Sequence, residues 1–461
     1  MTAVDRSRLP AVGPDPPFVF PAVEEAVLPN GLHIRTVERR GLPLLTVLLL
    51  LPAGSAADPD DRPGLAAMTA DMLDEGSGDR SALDIEDAFA RIGSGLSAEV
   101  GPDATVLALT TLSRFAVRAL ELLADVVVRP RLAEQDFTRV RQLRIHRLVQ
   151  LRDLPPLVAE RAFARLVYPD HPYGHLASGT ERALTALSLD EVVAFHRRRF
   201  VPARATLIIV GDEQHGELLR MAEDAFGGWA GAGETGAAED GDAVAPGDPA
   251  APRIRLAVVP RPGAAQSEVR VGHPGAAHRT AAYHALLVLN AILGGQFVSR
   301  LNMNLREARG LTYGVRSSFD FRRGRGPFVV QAAVETGATL EAVREILAEM
   351  AAIRAPTPAS GAELDAARAA LTRGYPRGFE TAEQVARAIL QLALYGLAPD
   401  HFVRFVPLVS RVTASDVTSA AVAHLAPAQA VVAIVGDHDK IGPSLGGLGL
   451  GEPLLLSTED W

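Results

Sequence analysis

The chain has 461 residues, 48% of them hydrophobic and 22% charged, an ordinary globular usage with material for two to four domains. Its 46 basic and 55 acidic residues leave a net charge of −9, which excludes the basic footprint of a nucleic-acid binder and steers basic peptides only weakly. There is no cysteine, so disulfides and thiolate metal sites are excluded.

The first thirty residues hold a Pro-rich lead, from Leu9 to Pro21, and no apolar run of signal-peptide length. The apolar stretch 42–52 is too short to span ~30 Å of hydrocarbon and reads as a buried strand. These features predict a cytoplasmic protein with no membrane span. Strands are predicted over 32–38 and 45–51, helices over 64–73 and 82–91, strands over 95–100 and 105–110, then long amphipathic helices from 113 to 165. The order recurs later, with strands near 254–259 and 268–273, helices over 280–293 and 296–309, strands over 312–319 and 328–334, and helices on to 425.

An internal duplication explains the recurrence. The run from Ser188 to Asp212 returns without a gap 225 residues later, from Thr413 to Asp437. Each copy is a capped helix, a proline (Pro202, Pro427) and an apolar strand ending in Gly-Asp. Ser188 with Glu191 forms a capping box, and Thr413 with Asp416 an imperfect one. A period this long means two homologous domains. The predicted division is an N-terminal extension over 1–24, a first domain over 25–229, a Gly/Pro-rich acidic linker over 230–252, a second domain over 253–440 and a tail over 441–461. Strands first and helices after give an α+β fold, each domain a mostly antiparallel sheet with helices packed on one face.

Two motifs carry the chemistry. The stretch Pro63-Gly64-Leu65-Ala66-Ala67-Met68-Thr69-Ala70-Asp71-Met72-Leu73 resembles the first-domain helix of the pitrilysin/insulinase-type zinc peptidases, whose inverted signature is His-x-x-Glu-His. The resemblance places the first His on Ala67, the catalytic Glu on Ala70 and the second His on Asp71. Two methyl groups and one carboxylate supply neither three metal ligands nor a general base. The family's third ligand, a Glu on a later helix, has no counterpart, because no acid lies between Asp136 and Asp153 and that segment is strongly basic. His146 reads as a partly exposed helix histidine. His171 and His175 are separated by Pro172 and Gly174, a turn that makes a poor zinc site. His171-Pro172-Tyr173-Gly174 reads as a loop-shaping element.

The second motif runs from Leu293-Gly294-Gly295 through Leu305-Arg306-Glu307-Ala308-Arg309-Gly310-Leu311-Thr312-Tyr313. In the resembling family an Arg and a Tyr at this spacing reach the substrate carbonyl from the half opposite the metal. Arg306 and Tyr313 keep both donors, which suit charge developing on a tetrahedral oxyanion. The residues alone also permit a plain role, with Arg306 in the last turn of a helix capped by Gly310 and Tyr313 in a strand core. Arg300 and Arg309 read as structural, and Gly294-Gly295 as an ordinary turn.

The resemblance implies the mitochondrial-processing-peptidase-like/LuxS-like metallohydrolase architecture. It further implies a zinc-less, non-catalytic subunit of a heterodimeric bacterial metallopeptidase, with no cofactor in this chain and zinc in a homologous partner. Such a chain supplies half of a peptide chamber and the Arg306/Tyr313 contact. The alternative is a structural or peptide-binding protein of the same fold; a metallopeptidase acting alone lacks ligands.

Overall fold

The computed structural model describes residues 18–230 and 247–458, so most of the expected linker and residues 1–17 of the expected extension lie outside the described residues. The first half contributes β1 (Glu24–Val27), β2 (His33–Glu38), β3 (Leu44–Leu51), β4 (Ser97–Val100), β5 (Thr105–Leu112) and β6 (Thr206–Gly211), in the sheet order β1-β2-β6-β3-β5-β4. The second half contributes β7 (Leu256–Pro260), β8 (Gln266–Pro274), β9 (Thr312–Phe319), β10 (Pro327–Glu335), β11 (Val431–Gly436) and β12 (Leu454–Leu455), in the order β12-β7-β11-β8-β10-β9. Position by position the two orders correspond. In both, the strand of the sequence repeat (β6, β11) pairs parallel with one neighbour and antiparallel with the other. The halves differ at one edge, where β1 runs antiparallel to β2 but β12 runs parallel to β7.

Helices follow the strands. The first half carries α1 (Leu65–Asp71), α2 (Ala82–Arg91), α3 (Ala116–Val128), α4 (Glu134–Leu151), α5 (Pro155–Val167), α6 (Glu181–Ala186), α7 (Leu189–Arg199) and α8 (His215–Phe226). The second carries α9 (Tyr283–Leu293), α10 (Thr339–Ala352), α11 (Gly361–Arg373), α12 (Ala382–Tyr395), α13 (His401–Arg411), α14 (Ala414–His424) and α15 (His438–Leu445). The repeat helices α7 and α14 both start from complete capping boxes. Asp416 accepts from the Thr413 backbone N–H at 2.8 Å, so the shorter acid closes the box as well as Glu191 does. Among the described residues no helix is long and apolar enough to cross a membrane.

The central strands are apolar on both faces, as Leu44-Leu45-Thr46-Val47-Leu48-Leu49-Leu50-Leu51 illustrates, so both faces need cover. One face of each sheet packs on helices of its own half: Leu45, Val47 and Leu49 join Leu120 and Leu123 of α3. The other face receives a helix from the opposite half. Leu48, Leu50, Ile208 and Val210 pack against Val385, Ala386, Ile389 and Leu392 of α12, joined by Phe20. Reciprocally, Val158, Ala159, Ala162 and Phe163 of α5 pack on Ala257, Val259, Val431 and Ala433. The sequence reading foresaw helices on one face; this exchange supplies the second.

Polar bonds pin the exchange. Tyr173, buried in the turn after α5, donates to Asp103 Oδ1 at 2.7 Å and accepts from the Gly324 N–H at 2.8 Å, while Asp103 also accepts from Arg323 N at 2.9 Å. Arg387 on α12 grips both oxygens of Glu99 on β4 at 2.7 and 3.0 Å. The expected loop-shaping element thus also ties the halves together.

His273, at the end of β8, is buried with both ring nitrogens on backbone groups: Nδ1 donates to Pro274 O and Nε2 accepts from Ala426 N, each at 3.0 Å. That pairing requires a neutral ring, and burial lowers its pKa to about 4 from an ordinary 6.5. Since the unfolded chain binds the proton more readily, the contribution of His273 is intact above pH 6.5 and is lost as the pH falls towards 4. Urea unfolding at pH 7.5 and pH 5 will show lower stability in acid, with a smaller pH-dependent loss in His273→Gln. An equal loss in the variant contradicts this role.

Candidate functional site

The two sequence motifs line separate cavities, each beside an edge strand of its sheet. They stand on different elements of the duplicated fold, since α1 and α9 are counterparts, packed on the repeat helices α7 and α14, while Arg306 follows α9. The first cavity, about 740 Å³, lies among α1, α4 and β4. Helix α1 starts at Gly64, whose φ of 100° is left-handed and where a Cβ would meet Gly179 Cα at 2.9 Å, so only glycine fits. The buried Asp58 carboxyl accepts from the N–H groups of Gly64 and Ala66 at 2.7 Å each and so caps the helix. Its burial pushes its pKa up to about 7.

Ala67 and Ala70 are 4% and 2% exposed and offer the cavity only methyl groups. The one carboxylate of the degenerate motif, Asp71, is bound by Arg144 of α4, whose other guanidinium nitrogen donates to Ala177 O at 2.7 Å. A guanidinium therefore links α1 to α4 beside the positions where the resemblance implies metal ligands. The donor set does not fit zinc: two methyls, one carboxylate already paired with a cation, and a basic helix opposite. Among the described residues no group of three or more His, Asp or Glu is arranged to hold a metal ion. His146 is exposed and bonds Gln142 at 2.9 Å. His171 accepts from Tyr173 N at 3.0 Å, and His175 lies 3.5 Å from Asp60.

The second cavity, about 490 Å³, lies beside β9 and holds Arg306 and Tyr313 together. Tyr313 is not a core residue. It is 93% exposed, because a bulge between Thr312 and Val315 adds one residue to β9 against β10 and turns the side chain outward. The Thr312 hydroxyl holds the bulge by accepting from Gly314 N at 3.2 Å.

The segment of Arg306 is a π-helix, Asn302–Ala308, where the sequence predicts the end of an α-helix; Gly310 closes it as expected, at φ 66°. The Arg306 guanidinium stacks 3.6 Å over the ring of Phe297 and pairs with Glu307 at 2.6 Å. Arg300 is structural, clamped on Glu363 at 2.6 and 2.9 Å, and Arg309 pairs with Glu341 and Glu345.

Sequence reasoning missed Asn302 and Phe297. Asn302 is buried and pairs with Val315 as a strand would, donating to its carbonyl at 2.9 Å and accepting from its N–H at 3.1 Å. It thereby joins the segment of Arg306 to the bulge of Tyr313. A polar residue beside Leu301 and Leu305 in an apolar helical pattern was the available signal. Phe297 had none.

Comparison with known proteins gives a consistent picture. Residues 40–180 match the family described as insulinase (peptidase family M16), and residues 186–371 match the one described as the peptidase M16 inactive domain. The chain is 27% identical to an uncharacterized zinc protease of Mycobacterium bovis over 438 residues, 93% of this chain and 97% of that protein. It is 28% identical to one of Mycobacterium leprae over 77% of this chain and 78% of that protein. In fold it is similar to a peptidase M16 inactive domain from Pseudomonas fluorescens, with TM-score 0.82, 24% identity and coverage of 90% and 98% of the two chains. A protease from Helicobacter pylori gives TM-score 0.81 at 20% identity, covering 91% of this chain and all of that one.

Replacing Asn302 by Leu leaves the buried N–H and C=O of Val315 without their side-chain partner. The expected cost is roughly 2–4 kcal/mol in urea unfolding. A change within about 0.5 kcal/mol, the range of an ordinary surface substitution, contradicts the clasp.

Proposed function

Because the chain belongs to the insulinase family of peptidases, M16, we propose that it is a zinc-less subunit working with a homologous, zinc-bearing partner. The observation that carries this reading is a contrast between the two motif sites. In the first half the motif positions hold Ala67, Ala70 and a carboxylate paired with Arg144. In the second half Arg306 and Tyr313 remain side by side, one half-buried on an aromatic ring and the other turned fully outward. A chain that only fills space has no need of a tyrosine exposed on a bulge.

The division of labour follows from the chemistry. The partner holds zinc and general base, and this chain binds no metal. Here Arg306 and the Tyr313 hydroxyl donate hydrogen bonds to the carbonyl oxygen of a bound peptide as its negative charge grows. Stacking on Phe297 orients the Arg306 guanidinium before substrate arrives, and the Asn302 clasp holds the backbone bulge that carries Tyr313. The two halves also form one half of the wall of a peptide chamber. The protein is proposed to act in the cytoplasm.

Reconstitution with a homologous chain bearing an intact His-x-x-Glu-His motif will yield a peptidase more active than either chain alone. Arg306→Ala or Tyr313→Phe in this chain will lower kcat by about 10²–10³, with assembly unchanged in sedimentation. Unchanged kcat and KM in both variants would establish the alternative, a structural or peptide-binding role without part in proteolysis.

A further inference from the structure

The cavity of the degenerate motif is larger than the Arg306/Tyr313 cavity, at about 740 against 490 Å³, and has the size of a ligand site. The alanines at 67 and 70 keep it open on one side, and Leu148 and Leu151 of α4 line it on another. Ala98 and Val100 of β4 form a third wall. Among the described residues no other strand pairs with the outer side of β4, so its main chain is open there to hydrogen-bond an extended peptide.

The charges on α4 identify what such a peptide must carry. Arg139 pairs with Glu75, Arg144 pairs with Asp71, and Arg141 donates to Leu187 O at 3.0 Å. At the end of the helix Arg152 pairs with Glu181 at 2.6 Å. Arg147 differs: it is exposed, lines the cavity, and makes no hydrogen bond or ion pair among the described residues. The cavity's own acids leave it unanswered, since Asp71 and Glu75 are bound to Arg144 and Arg139. Asp74, the third, makes no ion pair with Arg147. An uncompensated guanidinium beside apolar walls favours an anion, and a carboxylate gives it a charge-assisted, two-pronged partner.

We infer that this cavity is a non-catalytic peptide site that takes a carboxylate on Arg147 while the neighbouring residue of the peptide enters the apolar pocket against β4. The carboxylate belongs to an acidic side chain or to the peptide's C-terminus. The site is independent of Arg306 and Tyr313. It gives the zinc-less half a selective role, retaining acidic or C-terminal segments that the net charge of −9 would otherwise disfavour.

The test uses the full chain alone and three rhodamine-labelled decapeptides of alternating leucine and threonine, read by fluorescence anisotropy at fixed ionic strength. One carries a central glutamate and an amidated C-terminus, one a central glutamine and a free C-terminus, one glutamine and an amide. At least one carboxylate peptide will bind about tenfold more tightly than the neutral one, the scale of one charge-assisted contact, and which one gains assigns the source. The preference will vanish in Arg147→Ala and Arg147→Gln, persist in part in Arg147→Lys, and be untouched by Arg306→Ala. Arg147 is exposed, so these variants will keep the parent thermal melt. Equal binding of the three peptides, no binding, a preference that survives Arg147→Ala, or one abolished by Arg306→Ala overturns the inference. Its failure leaves the kinetic test of Arg306 and Tyr313 unaffected.

Discussion

Each sheet in this chain presents two apolar faces, and its own half supplies helices for only one of them. The remaining faces are closed by exchange, α5 crossing to the second sheet and α12 to the first. Burying a side chain such as Val, Leu, Ile or Phe is worth about 1.5–3 kcal/mol, and each exchanged helix buries several. Neither half taken alone would cover its sheet. Tyr173 and Asp103, which accept from the Gly324 and Arg323 N–H groups, and Glu99, which accepts from Arg387, fix the register of the exchange through bonds that only the assembled pair of halves can make.

The exchange also decides where a site can be. Helices occupy both faces of each sheet, so open main chain lies at the sheet edges, and among these edges β4 and β9 correspond in the duplicated fold. Both cavities stand there. The duplicated fold thus carries two edge cavities, lined by different elements. One holds methyl groups and an Asp71–Arg144 ion pair; the other holds an arginine and a tyrosine turned outward. They differ in side chains and in local backbone, the second having a π-helix and a bulge, so function follows from the sites and not from the fold.

Much of this was legible in the sequence, because the signals were local. The 225-residue repeat gave two homologous halves, and Ser188 and Thr413 marked matching helix starts. Ala67, Ala70 and Asp71 stand where the family's motif has His, Glu and His, which residue type alone shows. What escaped was non-local. The periodicity of α5 and α12 shows that each has an apolar face but cannot say which sheet receives it. The π-helix at Asn302–Ala308 and the bulge at Tyr313 arise from one buried amide, Asn302, gripping a strand thirteen residues away. Propensity rules read that segment as an α-helix leading into a buried strand. Pairing of Asp71 with Arg144 joins residues 73 apart and likewise had no sequence signature.

The central claim is that this chain keeps a metallopeptidase frame while leaving the metal to another chain. Native mass spectrometry of this chain, of a homologue with an intact His-x-x-Glu-His motif, and of their mixture tests it most directly. The account predicts no zinc on this chain, one on the homologue, and a one-to-one complex holding a single zinc that disappears when the homologue's motif is mutated. Zinc bound stoichiometrically by this chain alone, or a mixture in which the chains remain apart, would contradict it.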